Sequence, residues 1–117
     1  MQVRAVSSSD IELDAREWLV LAGLVRVMMH ADGKVSVREH GLVGRLATRL
    51  GPALWTNLAL AEIRLPDEAA VRSAAARVER PEARGLIRAV AEEVASADGI
   101  DDSERALLDW LDALWRE

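Results

Sequence analysis

Two short acidic turns carry the residue types that could do chemistry in this chain. Ala-Asp-Gly triplets occur at residues 31–33 and 97–99, with Asp32 and Asp98 at their centres. Further carboxylates follow each triplet, namely Glu39 after the first and Asp101, Asp102 and Glu104 after the second. Carboxylate oxygens are the ligands that hard divalent cations prefer, so a cation is one explanation for these turns.

Asp32 and Asp98 are the residues that folding alone explains least well. Each is predicted in the last turn of a helix, where the negative end of the helix dipole disfavours a carboxylate. A hydrogen bond to backbone amides of the next helix would explain their presence, and so would a bound cation. The neighbouring glycines are explained by helix termination, because they adopt left-handed backbone without steric cost.

Two more specific metal sites can be compared with the sequence. An EF-hand is excluded, because placing Gly33 at loop position 6 puts Met28 and His30 at positions that need oxygen ligands. The two histidines, His30 and His40, flank the first turn, and together with Asp32 and Glu39 they offer a mixed nitrogen and oxygen site for zinc, manganese or iron. A histidine beside a helix end is more often an ordinary surface residue than a metal ligand.

Catalytic motifs are missing from the sequence. It has no cysteine, which excludes thiol chemistry and a disulfide framework. It also has no G-x-S-x-G motif, no phosphate-binding glycine loop and no H-E-x-x-H motif. We therefore expect a protein that is not an enzyme.

Helix start and stop signals divide the chain into six segments. Residues 1–9 are predicted to be a flexible arm, and residues 10–117 a single domain. S/D-x-x-E capping pairs, prolines and glycines bound helices at about 9–32, 36–50, 53–64, 67–79, 81–98 and 101–115. The 53–64 segment is weakly amphipathic. Since only 3 Pro and 7 Gly occur and no segment has a strand pattern, we predict an all-α compact bundle.

The two triplets belong to an internal repeat. Apolar positions before the triplets match at an offset of 66 residues, and those after them at an offset of 65. The pairs are Leu21/Ile87, Leu24/Val90, Met28/Val94, Ala31/Ala97, Leu42/Leu107, Val43/Leu108 and Leu46/Leu111. The repeat predicts two pseudo-repeated helical hairpins packed around one core.

The pattern A-D-G-x-[VI]-[S/D]-x-x-E, present at 31–39 and in a shortened form at 97–104, resembles the TerB-like domain of tellurite-resistance proteins and DjlA-type co-chaperones. The resemblance covers about residues 11–115. It implies an all-α fold with the two acidic turns close together, and a bacterial protein linked to metal or tellurite stress. It also implies Asp32, Glu39, Asp98 and Glu104 as candidate ligands of a divalent cation such as calcium, magnesium, manganese or zinc. The residue missing after Gly99 changes the direction in which Glu104 would point.

Charge is distributed unevenly along the chain. Residues 1–91 hold 13 basic and 11 acidic side chains, a net of +2, whereas residues 92–117 hold 2 and 9, a net of −7. The overall charge of −5 argues against a nucleic-acid partner. The longest apolar stretch, residues 18–25, is too short to span a bilayer, and the N-terminus has no signal pattern. We expect a cytoplasmic protein without direct membrane insertion.

Two functions follow from these features. The first is a non-enzymatic TerB-like domain that binds a divalent cation through its acidic turns. The alternative is a protein–protein interaction module, for another copy of itself or a co-chaperone-type partner, in which the turns are purely structural. For the alternative, the candidate contact residues are Trp55, which follows a Gly-Pro stop, and a basic stretch. That stretch comprises Arg64, Arg72, Arg77, Arg80, Arg84 and Arg88. The other tryptophans, Trp18, Trp110 and Trp115, are predicted to be buried.

Overall fold

The computed structural model describes residues 13–29, 37–96 and 102–116, with only the backbone described for 37–40. This part of the chain forms six helices and no strand, which confirms the predicted all-α bundle. The helices are α1 (Ala15–Met29), α2 (Val37–Leu50), α3 (Ala53–Arg64), α4 (Glu68–Ala75), α5 (Pro81–Ala95) and α6 (Asp102–Leu114). None of them is long and apolar enough to cross a membrane.

Helix α1 begins later than the Ser9/Glu12 capping pair predicted. Its first residue is Ala15, and Asp14 and Glu17 form the capping box instead. The Glu17 N–H donates to Asp14 Oδ1 at 2.8 Å, and the Asp14 N–H donates to Glu17 Oε1 at 2.9 Å. Asp14 and Glu17 have the same three-residue spacing, and this reciprocal pair satisfies two amides at the helix start. Ser9, Glu12 and the predicted arm at 1–9 lie outside the described residues.

Helix α4 ends earlier than predicted, at Ala75 rather than near Glu79. Its start follows the prediction, because the Asp67 side chain accepts a hydrogen bond from the Ala70 N–H at 2.8 Å. At its end the Val78 N–H donates to the Ala75 carbonyl at 3.1 Å, three residues back, so the chain leaves the α-helical path. This tighter turn places Val78 in the core, where it is 3% exposed.

The core is built around α1, which packs against α3, α4 and α5. Six consecutive residues of α1, from Val20 to Val25, are buried. A helix that is buried on consecutive residues is enclosed on all of its sides, unlike the two-sided helices typical of a protein surface.

The internal repeat is reproduced in the pattern of burial. Helices α1 and α5 pack against each other, and α6 packs on α5. At the repeat positions before the turns, the buried residues are Leu21, Leu24 and Met28 in α1 and Ile87, Val90 and Val94 in α5. After the turns they are Leu42, Val43 and Leu46 in α2 and Leu107, Leu108 and Leu111 in α6. Equivalent positions of both copies thus contribute to one core.

The tryptophans lie at different depths. Trp18, Trp110 and Trp115 are half-buried at the edge of the core rather than within it. Trp110 and Trp115 make polar contacts that explain this position. The Arg72 guanidinium lies 4.5 Å from the Trp110 ring centroid. The Trp115 Nε1–H donates to the Ala75 carbonyl at 3.2 Å.

Gly23 allows α1 to approach its neighbours closely. A Cβ atom added there would lie 3.0 Å from Leu65 Cδ1 and 3.1 Å from Val71 Cγ2. These two side chains come from the α3–α4 connection and from α4, so a single small residue determines how closely both can approach the central helix.

Replacing Gly23 with valine should destabilise the protein by about 1–3 kcal/mol, because its methyl groups would overlap Leu65 and Val71. The matched control is Gly85→Ala in α5, where an added Cβ meets no atom within 4 Å. This control should stabilise the protein by about 0.5–1 kcal/mol, since alanine favours the helix. Urea unfolding measures both changes, and a Gly23→Val variant as stable as the wild type would contradict the close approach.

Candidate functional site

The predicted cation ligands lie mostly outside the part of the chain that the structure describes. Asp32 and Asp98 are outside it, and for Glu39 only the α2 backbone is described. Glu104 is described, lies in the first turn of α6 and is 5% exposed. The spatial grouping of these four carboxylates therefore stays a prediction, as does the mixed site with His30 and His40.

Glu104 lines a cavity of about 390 Å³ between α1, the α3–α4 connection and the start of α6. Two other carboxylates line it: Asp67 caps α4, and Glu68 accepts from Arg72 Nε at 2.7 Å. Arg26 also lines the cavity. Among the described residues, no group of three or more His, Cys, Asp or Glu side chains is placed to hold a metal ion.

Most of the basic stretch is occupied by contacts within the chain. Arg72 bonds to Glu68, and the Arg84 Nε–H donates to the Val78 carbonyl at 2.8 Å. Arg88 makes a bidentate contact with Asp112 of α6, at 2.8 and 3.1 Å. Together with Arg80, which bonds to Glu17, four of the six arginines have such partners, so the stretch is not a continuous free basic surface.

Arg80 and Glu17 form the most buried ion pair of the described residues. Glu17 is 3% exposed, and its two oxygens accept from Arg80 Nε at 2.9 Å and from Arg80 Nη2 at 2.6 Å. The hydrogen bonds from Arg80 are the main reason that the pKa of the Glu17 carboxyl is lowered, and they outweigh the opposing effect of burial. This bidentate pair fastens the start of α1 to the α4–α5 connection.

The acidic C-terminal part of the chain is held to the rest by similar pairs. Arg88 connects α5 to Asp112 of α6, and hydrogen bonds from Arg88 lower the pKa of that carboxyl. Arg49 of α2 donates to Glu93 of α5 at 2.8 Å. Acidic residues of the C-terminal part of the sequence are therefore paired in the fold with arginines from the earlier part.

The solvent side of α3 is apolar. The large hydrophobic residues that are exposed in the described part of the chain all lie on this helix: Trp55 at 53%, Leu60 at 36% and Ile63 at 76%. At 100° per residue they share one side with Thr56 and Ala59, both exposed. We call these five residues, Trp55, Thr56, Ala59, Leu60 and Ile63, the outer face of α3.

The opposite side of α3 is apolar as well. Leu54 and Ala61 are fully buried there, where the helix packs against α1 and α2. The outer face is continued by a groove of about 250 Å³ between α1, α2 and α3. Its lining consists of Arg26, Met29, Val43, Trp55, Leu58, Ala59 and Glu62.

Sequence reasoning identified only part of this surface. The prediction that Trp55 is exposed is confirmed, but Leu60 and Ile63 were not singled out. The available signal was the weak amphipathicity of segment 53–64, which arises because apolar residues occur on two opposite sides of the helix.

Comparison with known proteins identifies no relative of this chain. No protein-family model, no curated protein and no solved structure matches the chain. The TerB-like resemblance therefore stays a prediction.

Replacing Glu17 with glutamine should destabilise the protein by about 1–3 kcal/mol at pH 7, because it removes a buried charged acceptor. Since folding lowers the pKa of Glu17, its ionised form stabilises the fold at any pH above the unfolded pKa of about 4.3. That stability is lost as the pH falls through the lowered folded pKa. The measurement is the wild-type-minus-variant free energy of unfolding as a function of pH.

The difference should be constant between about pH 5 and 8 and should shrink as the pH falls below about 4. Glu79→Gln is the matched control, since Glu79 is exposed, and it should show little difference at any pH. A Glu17→Gln variant equal to the wild type at pH 7, or a difference that is undiminished in acid, would contradict this role of the pair.

Proposed function

We propose that this chain is a non-enzymatic protein–protein interaction domain whose docking surface is the outer face of α3 with the adjoining groove. The single observation that carries this proposal is the exposure of Trp55, Leu60 and Ile63 together on one side of one helix. Single exposed hydrophobic residues are ordinary, whereas a contiguous patch of them is typical of interaction sites.

The composition of α3 supports the proposal independently of the exposed areas. A helix with apolar residues on opposite sides is normally covered on both, as the middle of α1 is in this protein. Helix α3 also has apolar residues on two opposite sides, but the described part of the chain covers only the side that carries Leu54 and Ala61. A second molecule would complete the burial for which the sequence of α3 is suited.

The groove has the properties of a helix-binding site. Met29, Val43 and Leu58 provide apolar lining, and Arg26 and Glu62 provide charged groups of both signs. Apolar anchors surrounded by polar groups are the usual anatomy of an interface. An amphipathic helix laid into such a groove is a common mode of recognition, in which residues spaced by three and four provide the anchors.

The basic stretch, which the sequence suggested as a contact surface, is less suited to that role than the outer face of α3. Arg72, Arg80 and Arg88 are committed to carboxylates of the same chain. Breaking these pairs to bind a partner would leave Glu17, which is 3% exposed, without its charged donor. The outer face of α3 requires no such exchange.

A divalent-cation site at Asp32, Glu39, Asp98 and Glu104 is the second candidate. It is supported by the two aspartates at predicted helix ends, where a carboxylate is unfavourable unless it has a partner. The proposed link to a TerB-like role in metal or tellurite stress rests on the repeated A-D-G motif alone. The cation site and the TerB-like role are both compatible with docking through α3, because docking uses other residues.

Replacing Ile63 with glutamine tests the docking surface. Because the side chain is 76% exposed, the free energy of unfolding should change by no more than about 0.5 kcal/mol. Proteins that cross-link to a tagged wild-type chain in its native cells should no longer cross-link to the variant, because the most exposed apolar side chain of the face becomes polar. Mass spectrometry of the cross-linked products is the measurement.

Ala113→Gln is the matched control, since Ala113 is an exposed residue of α6. It should keep every cross-linked protein. If Ile63→Gln and Ala113→Gln retain the same proteins as the wild type, docking through α3 is wrong. A large loss of stability in Ile63→Gln would also contradict the proposal, because it would mean that the chain itself covers this face.

The cation site is tested by thermal unfolding with calcium, magnesium, manganese or zinc, each compared with EDTA. A bound ion should raise the midpoint, since a ligand that binds only the folded state stabilises it. The double variant Asp32→Asn with Asp98→Asn should abolish that increase. If no ion moves the midpoint at millimolar concentration, and the double variant is more stable than the wild type, the acidic turns have a structural role only.

A further inference from the structure

The outer face of α3 is complementary to itself. Trp55, Ala59 and Ile63 follow each other at intervals of four residues and form a ridge in which a small side chain separates two large ones. Ridges of this spacing interdigitate in the commonest class of helix packing. If two copies cross antiparallel with Ala59 on the twofold axis, Trp55 of each copy lies opposite Ile63 of the other.

The charges along α3 favour the same arrangement. Its first turn has no acidic residue, and Pro52 at its N-cap provides no side-chain hydrogen bond. Glu62 lies three residues after Ala59. Thr56, which belongs to the first turn, lies three residues before Ala59. An antiparallel second copy therefore brings its exposed Glu62 level with this first turn, where negative charge is stabilising.

The patch itself carries no net charge, so two copies can meet there despite the charge of −5 on each chain. Glu62 and Arg64 cancel each other, and the five residues of the outer face are uncharged. A face of this size presents on the order of 400 Å² of surface. Two such faces bury somewhat under 1,000 Å² in total, which is the low end for specific interfaces and suits a weak, reversible dimer.

We propose that the occupant of the outer face of α3 is the same face of a second copy, so that two chains form a twofold-symmetric dimer whose α3 helices cross antiparallel at Ala59. This inference rests on the proposed docking function and identifies its partner. Twofold dimers are the commonest homo-oligomers, and their interface must be complementary to itself.

A single introduced cysteine tests the crossing point, because the chain has none of its own. Helix axes that cross at a small residue lie about 8–10 Å apart, with Cα atoms about 2.3 Å from each axis, so the two Ala59 Cα atoms would face each other within the reach of a disulfide. Under mild oxidation Ala59→Cys should give a disulfide-linked dimer. Non-reducing electrophoresis over time measures its rate of formation.

Ser73→Cys is the matched control, since Ser73 is an exposed residue of α4. At the same protein concentration the dimer of Ala59→Cys should form at least about tenfold faster, because association raises the local concentration of its thiols. Adding Ile63→Glu to Ala59→Cys should reduce the rate to that of the control.

Equal rates for Ala59→Cys and Ser73→Cys overturn the second copy as occupant. If Ile63→Gln still loses cross-linked proteins in that case, a different protein occupies the face and the proposed docking function stands. If Ile63→Gln loses none, both the dimer and the docking function are wrong.

Discussion

The burial of the middle of α1, from Val20 to Val25, is the constraint on which the rest of this structure depends. Six consecutive buried residues require neighbours on every side, and α3, α4 and α5 provide them. Gly23 favours the close approach of Leu65 and Val71 to the helix, because an added Cβ would lie only 3.0 and 3.1 Å from their side chains. Helix α3 is one of these neighbours, and it uses only one of its two apolar sides to cover α1.

Charged pairs at the edge of the core connect elements that are distant in the sequence. Glu17 with Arg80 fastens the start of α1, Arg49 with Glu93 connects α2 to α5, and Arg88 with Asp112 connects α5 to α6. The partly exposed pairs contribute little stability individually, whereas the buried Glu17 carboxylate depends on its partner. Since two of these pairs use Arg80 and Arg88 of the basic stretch, the outer face of α3 is the better candidate for contact with another molecule.

Much of the fold could be predicted from the sequence, because its signals are local. Helix periodicity, Pro81 at the first position of α5 and Gly51 with its positive φ of 105° all act within a few residues. The matching burial of Leu21 and Ile87 followed from the repeat. The early end of α4 could not be predicted, because it depends on the burial of Val78 in a core formed by distant elements.

The candidate site was less predictable for a similar reason. Trp55 was recognised from its place after a helix stop, but the exposure of Ile63 depends on which side of α3 faces α1. A helix that is apolar on both sides gives no periodic signal to distinguish them. Nor did the sequence show that Glu17 would bond to Arg80, 63 residues further along the chain.

Our central claim is that the outer face of α3 is buried by a second copy, and sedimentation equilibrium tests it most directly. The mass of the wild-type chain should rise from 12.8 kDa towards twice that value as the concentration increases from the micromolar to the millimolar range, as expected for an interface of this size. The Ile63→Glu variant should remain monomeric throughout. A wild-type chain that stays at 12.8 kDa at every concentration would contradict the claim.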